Sequence, residues 1–304
     1  MHAELARVLA ALEPELGAAT NEPVALDGGI TNRNFRVTLA RAGDVVVRLP
    51  GKDTELLGID REAERAATEA AAAAGVGPRV VAFRTAPPCL VTAFIPGTPI
   101  PVEALRARVE EIAASLRAVH GGPPLRARFD SFAIVDAYRA TAVAHGTPVP
   151  AAFARLLAGA RRIRDALAGP EHAPVPCHND LLNANFIHDG ERVRIVDWEY
   201  AGMGDRFFDL GNLSVNNGLD EGDDEALLAA YFGEPCTDRR FAALRLMRIM
   251  SDFREGMWGV VQRGISELDF DFAAYADEHL TRVGAALEDP RFETWLEAAR
   301  GAAP

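Results

Sequence analysis

The stretch Pro176-Cys-His178-Asn-Asp180-Leu-Leu-Asn-Ala-Asn185-Phe-Ile-His-Asp189-Gly190-Glu-Arg-Val193-Arg-Ile-Val-Asp197-Trp-Glu199-Tyr200 sets oxygen-bearing side chains at fixed intervals along a hairpin pattern. An apolar approach, Val175 to Cys177, runs into His178. Asn185-Phe-Ile-His reads as one short strand, Asp189-Gly190 as the turn and Val193-Arg-Ile-Val as the return strand, which ends on Asp197. A hairpin brings its two ends together, so Asn185 and Asp197 are placed to face one cation. An amide oxygen and a carboxylate are hard donors of the kind Mg²⁺ prefers while it keeps several waters. Asp180, in the loop just upstream, is placed to meet a substrate.

A carboxylate base, with an Asn and an Asp on Mg²⁺, makes up the working parts of a kinase-type phosphoryl transfer. The spacing His178-x-Asp180-x4-Asn185, with Ile195-Val-Asp197 downstream, resembles the catalytic core of the kinase-like small-molecule phosphotransferases. These include aminoglycoside phosphotransferases, choline and ethanolamine kinases and, more distantly, protein kinases. The sequel Asp197-Trp-Glu199-Tyr200, then Phe208-Asp209-Leu-Gly-Asn212, is similar to the choline/ethanolamine kinase branch, its bacterial members above all. The bland alternative makes Asp180, Asn185 and Asp197 only turn and cap residues, and the joint spacing outweighs it. The resemblance runs over residues 24 to 285. It implies an α+β fold, bilobal and protein-kinase-like. A small antiparallel β-sheet lobe, residues 1–95, would bind the nucleotide. A mostly helical lobe, residues 96–304, would hold the catalytic and substrate-binding groups, with ATP in the cleft.

Bulk properties fit. The 304 residues suffice for two modest lobes with real cores. A formal net charge of −12 argues against a nucleic-acid partner and suits a cationic substrate. Cys89, Cys177 and Cys236 are scattered without metal-ligand spacing, which reads as reduced thiols in a cytosolic protein. The chain shows no basic-then-apolar leader and no run approaching a membrane span. We therefore expect a cytoplasmic location without membrane insertion.

Along the chain, residues 3 to 13 read as an amphipathic helix ended near Pro14. Val24-Ala-Leu leads into Asp27-Gly28-Gly29-Ile-Thr31-Asn32-Arg33-Asn34-Phe, a strand, a glycine turn and a strand. Read alone, this is an ordinary hairpin turn or a phosphate cradle, because glycines let a backbone approach a ligand. It is similar to the phosphate loop of choline-kinase-like proteins, which assigns Gly28, Gly29, Thr31 and Asn32 to the nucleotide. Asp44-Val-Val-Val-Arg48-Leu is a third strand. Arg48 stands where protein kinases place a phosphate-binding Lys, and a guanidinium grips phosphate in bidentate fashion. Residues 59 to 74 form a helix with Asp60 as N-cap and a stop at Gly75-x-Gly77-Pro78. Its Glu62 and Glu64 both compete for Arg48, and counting back from Gly77-Pro78 puts Glu64 at the family position. Strands follow at Val80 to Phe83 and at Cys89 to Phe94. In the fold implied by the resemblance, backbone groups near Thr92 to Phe94 would bond adenine.

Residues 102 to 120 read as one amphipathic helix, with Leu105, Val109, Ile112, Leu116 and Val119 on one face. Helices are expected at 129–145 and 151–168. The acidic run Asp220 to Glu225 reads as a helix start, and 241–262 as a long helix. Trp258-Gly-Val-Val-Gln262 and the later Tyr275 look like the C-terminal helices of choline kinases. There, aromatics and an acidic residue enclose a quaternary ammonium by cation–π attraction. Eukaryotic relatives carry a further Trp where this chain has Glu255, so a carboxylate stands in for one ring.

The expectation is an ATP- and Mg²⁺-dependent kinase of a small cationic amino alcohol, choline first. Asp180 orients or deprotonates the acceptor hydroxyl. Asn185 and Asp197 hold Mg²⁺, and Arg48, braced by Glu64, holds phosphate with the glycine loop. Glu199, Glu255, Trp258 and Tyr275 serve the second metal or the acceptor. The alternatives are ethanolamine or an aminoglycoside or amino sugar as acceptor, a catalytically silent pseudokinase module, and a metal-dependent hydrolase using His178, Asp180 and Asp197. The last lacks a second spaced His ligand pair. A protein kinase lacks its Ala-Pro-Glu signal here.

Overall fold

The computed structural model describes residues 3–26 and 31–301. Gly28 and Gly29 of the expected phosphate loop lie outside the described residues. In chain order the elements are α1 (Ala3–Leu16), β1 (Val24–Leu26), β2 (Asn32–Leu39), β3 (Gly43–Pro50), α2 (Arg61–Ala73), β4 (Val80–Thr85), β5 (Pro88–Ala93), α3 (Val102–Leu105), α4 (Val109–His120), α5 (Ser131–Ala144), α6 (Phe153–Ala166) and β6 (Val175–Cys177). Then come β7 (Phe186–His188), β8 (Val193–Ile195), β9 (Gly202–Gly204), α7 (Arg206–Asn216), α8 (Glu221–Phe232), α9 (Asp238–Ile265), α10 (Phe272–Glu288) and α11 (Phe292–Arg300). The α+β reading holds, with an antiparallel sheet early and helices dominating later. Among the described residues no helix is long and apolar enough to cross a membrane.

The chain divides into two compact units, Met1–Ile100 with Ala184–Glu199, and Pro101–Asn183 with Tyr200–Pro304. The first is built on a five-stranded antiparallel sheet ordered β1-β2-β3-β5-β4. Alternate residues of β2 and β3 (Phe35, Val37, Leu39; Val45, Val47, Leu49) are buried, and Leu5, Val8, Leu12 and Leu16 of α1 join them in one core. This is the two-residue strand period meeting the helical period. Asp60 caps α2, its carboxylate accepting the amides of Glu62 and Ala63. The β7–β8 hairpin belongs to this unit: the Ile100 amide donates to the Phe186 carbonyl at 2.8 Å, and the Ile195 amide to the Val76 carbonyl at 3.0 Å.

The second unit is helical, with α5, α7, α10 and α11 packed on α9 and a short β6–β9 ladder beside the signature loop.

Two local expectations are corrected. Residues 102–120 are not one helix, because a 3-10 turn, Arg106–Arg108, separates α3 from α4. Leu105 and Val109 are both buried across that turn, so the apolar spacing records buried positions and not the hydrogen-bond pattern joining them. The hairpin turn spans Asp189 to Arg192, the Asp189 carboxylate accepting the Glu191 and Arg192 amides at 2.9 and 3.0 Å. Asn185 lies in a 3-10 turn, Asn183–Asn185, ahead of the strand. Its carbonyl still accepts the Val196 amide at 3.0 Å, so the two hairpin ends do meet.

Candidate active site

In the first unit, β3 carries Arg48 into a group of carboxylates. One guanidinium nitrogen donates to Glu64 on α2 at 2.7 Å and to Asp197 at 2.5 Å, while Nε donates to the Asn34 amide oxygen at 3.2 Å. Of the two glutamates that opened the helix, it is Glu64 that is buried and makes this pair. Burial works against the Arg48 charge, yet Asp197, Glu64 and Glu199 hold its pKa above the ordinary arginine value. Arg61, one helical turn before Glu64, donates to Glu64 at 2.8 Å and to Glu199 at 3.1 Å. Its other nitrogen bonds Asn32 at 3.0 Å and Thr54 at 2.9 Å. The Thr31 hydroxyl and the Asn32 amide group donate to Glu199 at 2.5 and 2.8 Å. The two side chains expected as phosphate donors are thus committed to a carboxylate in this arrangement. Burial, then the neighbouring Asp197 charge, pushes the Glu199 carboxyl above the usual carboxylate range.

Arg48, Glu64, Thr92, Phe94, Asn185 and Asp197 line one cavity of about 410 Å³ in this unit. Its wall is mostly apolar, with Leu26, Val46, Leu90 and Ile187 among the lining residues. At its margin Gly97 adopts φ 133°, and a Cβ there would stand 2.5 Å from the His188 carbonyl oxygen. The Phe94 and Ala93 amides already donate to the Asp44 and Arg79 carbonyls, at 3.0 and 2.8 Å. Those two N–H groups are therefore engaged by the sheet, so the adenine donor expected near Thr92 to Phe94 is neither of them.

In the second unit the loop after β6 carries Asp180. Asp209 of α7, fully buried, accepts the amides of His178 (2.8 Å) and Asn179 (2.6 Å) and lies 3.0 Å from Nε2 of His120. Asn212, one turn on, accepts the Leu181 amide at 2.5 Å. Asn179 takes φ 69°, and its side chain donates to the Tyr200 carbonyl at 3.0 Å. Three backbone amides around Asp180, those of His178, Asn179 and Leu181, are thus pinned by α7. Asp197, in the first unit, is a second non-glycine residue at positive φ, 68°; Asn and Asp enter this region most readily.

Also in the second unit, Arg254 of α9 donates to Glu255, and one of its nitrogens lies 3.5 Å from an Asp180 carboxylate oxygen. The Tyr275 hydroxyl donates to the other Glu255 oxygen at 2.9 Å. Trp258 meets Phe272 and Tyr275 edge to face, with centroids 5.7 and 5.6 Å apart, and its indole N–H donates to the Tyr200 hydroxyl at 3.0 Å. The structure thus brings Asp180, Glu255, Trp258 and Tyr275 into one cluster.

The sequence profile of the phosphotransferase enzyme family matches residues 23–245. A choline/ethanolamine kinase family protein from Mesorhizobium loti, of known crystal structure, is 34% identical to this chain with a TM-score of 0.84, over 98% of this chain and 99% of that one. The chain belongs to the phosphotransferase enzyme family, in its choline/ethanolamine kinase branch. The choline kinase LicA from Streptococcus pneumoniae shares the fold, with 21% identity and a TM-score of 0.76 over 93% of this chain and 98% of that one. Ethanolamine kinase 2 of Rattus norvegicus is 30% identical over 134 residues, 38% of this chain; the match spans about a third of that enzyme, 35%.

Against this family background, sequence reasoning missed Arg61, Arg254 and the clamping role of Asp209. Arg61 had a signal, standing three residues before Glu64 on the same helix face. Asp209 was visible inside Phe208-Asp209-Leu-Gly-Asn212, but its hydrogen bonds go to backbone amides, which no side-chain pattern records. The oxygen donors of Asn185 and Asp197 fit a hard divalent cation. Three carboxylates (Glu64, Asp197, Glu199) surround two guanidinium groups in that unit. The carboxylates outnumber the guanidinium groups by one in this group, and a cation would offset that charge.

Proposed function

We propose that this member of the choline/ethanolamine kinase branch transfers the γ-phosphate of ATP to the hydroxyl of a small amino alcohol, choline first. The observation that carries the reading is Asp180, held by Asp209 and Asn212 beside a carboxylate and an aromatic cluster on α9 and α10. Asp180 accepts a hydrogen bond from the acceptor hydroxyl and takes its proton as the oxygen attacks phosphorus. Trp258, Tyr275 and Phe272 offer π faces, and Glu255 a negative charge, to the acceptor's ammonium. Arg48, oriented by Glu64 and Asn34, holds phosphate oxygens, and the cavity lined by Thr92 and Phe94 takes the base and ribose. Asn185 and Asp197 would hold Mg²⁺, which when bound neutralises phosphate charge. Catalysis by these residues is positioning and electrostatic stabilisation.

Ethanolamine is the second reading. Glu255 favours it, because a carboxylate can accept the N–H bonds that a quaternary ammonium lacks.

The test is ADP release with Mg-ATP against choline, ethanolamine, dimethylethanolamine and kanamycin. Choline-dependent turnover, with a raised KM in Trp258→Ala and none in Asp180→Ala, is the expected result. Turnover with primary amines alone would move the acceptor to ethanolamine. Undiminished turnover by Asp180→Ala would remove Asp180 from its role.

A further inference from the structure

The Tyr275 ring is held from several sides. Trp258 meets it edge to face with centroids 5.6 Å apart, and the His279 ring lies 4.4 Å away on the next turn of α10. His279 is itself buried, its Nδ1 2.9 Å from an Asp252 carboxylate oxygen. At Gly259 of α9 a Cβ would stand 3.0 Å from the ring, so glycine there lets Tyr275 lie close to the helix. A ring fixed in this way fixes its hydroxyl, which donates to Oε2 of Glu255 at 2.9 Å. Burial, then the Glu255 charge, holds that hydroxyl well above the ordinary tyrosine pKa, so it stays a donor at neutral pH. The other Glu255 oxygen accepts from Arg254. Glu255 is 5% exposed, so these two side chains dominate its hydrogen bonding. A carboxylate has about four acceptor sites. Here each oxygen already carries one donor, which draws electron density from it and weakens what it offers to the next. A primary ammonium entering the site leaves its N–H bonds to water behind, and burying them without strong acceptors is costly. A quaternary ammonium brings none. The faces of Trp258 and Phe272 attract either cation, so they do not separate the two. The acceptor strength left on Glu255 does.

We propose that the Tyr275 hydroxyl is a specificity-determining group: by occupying Glu255 it tilts the acceptor site towards an N-methylated ammonium and away from a primary one. The inference rests on the amino-alcohol kinase reading above and names the group that chooses between its two acceptors. The hydroxyl need not touch the acceptor, because it works against the primary amine by holding the oxygen that amine would use.

The experiment measures kcat/KM of the full chain, with Mg-ATP, for ethanolamine, methylethanolamine, dimethylethanolamine and choline. The proteins are the wild type, Tyr275→Phe, Glu255→Gln and the double variant. In the wild type kcat/KM should rise with each methyl group, and a flat or falling series overturns the proposal. Tyr275→Phe keeps the ring and frees one Glu255 oxygen, which a primary ammonium satisfies and choline does not. It should shift the ethanolamine-to-choline ratio of kcat/KM about tenfold towards ethanolamine, with the ATP KM unchanged. In Glu255→Gln the acceptor is uncharged and its hydrogen bonds are about half as strong, so the same Tyr275→Phe step should move the ratio by only about threefold. A ratio unmoved by Tyr275→Phe, or moved equally with Glu255 and with Gln at that position, overturns the proposal. Should a variant fail to fold, the methyl series of the wild type decides. A wild type that turns over none of the four amines overturns the amino-alcohol kinase reading together with this one. That result differs visibly from a measurable but unmoved ratio.

Discussion

Arg48 shows why residue type matters beyond charge. Its planar fork reaches Glu64, Asp197 and Asn34 at once, which a Lys ammonium on a flexible stem does not reproduce. Arg48→Lys should keep the positive charge while losing this orientation, raising the KM for ATP by about tenfold with a smaller change in the acceptor KM. Steady-state kinetics with each substrate varied will decide, and an unchanged ATP KM would contradict the phosphate role proposed for Arg48. The residue itself was legible as a basic position at the end of an apolar strand. Its partner was narrowed to two glutamates, and burial selected between them: Glu64 is 2% exposed, whereas Glu62 turns to Arg65 on the surface.

Among the elements, α7 does the most to shape the site. Asp205 caps it by accepting the Phe207 amide. One turn further on, Asp209 and Asn212 point at the loop that carries Asp180. In Asp209→Asn one of the two carboxylate oxygens becomes an NH₂ group, facing an N–H it cannot accept. Leaving one buried backbone donor unpaired should cost about 1–3 kcal/mol, read by urea unfolding. Turnover should fall further than stability alone explains, since the loop around Asp180 loses its anchor. A variant with full stability and full turnover would contradict the clamp. Element identity was mostly readable, because periodicity and caps are local properties. The misread boundaries, at Arg106 to Arg108 and Asp189 to Arg192, are places where a tighter turn or an Asx-type side-chain bond replaced the expected backbone pattern.

At the scale of the molecule, the two compact units divide the signature stretch between them. Asn185, Asp197 and Glu199 belong to the first, and Asp180 to the second. The residues proposed for the nucleotide and those proposed for the acceptor should therefore be separable in binding. Mg-ATP at 100 times its Kd should stabilise the chain by about 2.7 kcal/mol, seen as a raised Tm. Asp197→Asn should remove the Mg²⁺-dependent part of that shift while sparing the smaller shift with choline, and Trp258→Ala should do the reverse. Loss of both shifts in either variant would show that the assignments to separate units fail.

The sequence by itself determined the family resemblance, the α+β class, most of the elements and the motif residues from His178 to Asn212. Those features reside in local spacing, where periodicity, caps and turns act over a few residues. Only the tertiary structure decided that Thr31 and Asn32 spend their donors on Glu199, that Phe94 gives its amide to Asp44, and that Arg254 comes within 3.5 Å of Asp180. Which partner satisfies a buried donor or charge depends on residues tens to more than a hundred positions apart being packed together. Burial makes those pairings energetically decisive, and no interval in the chain encodes them.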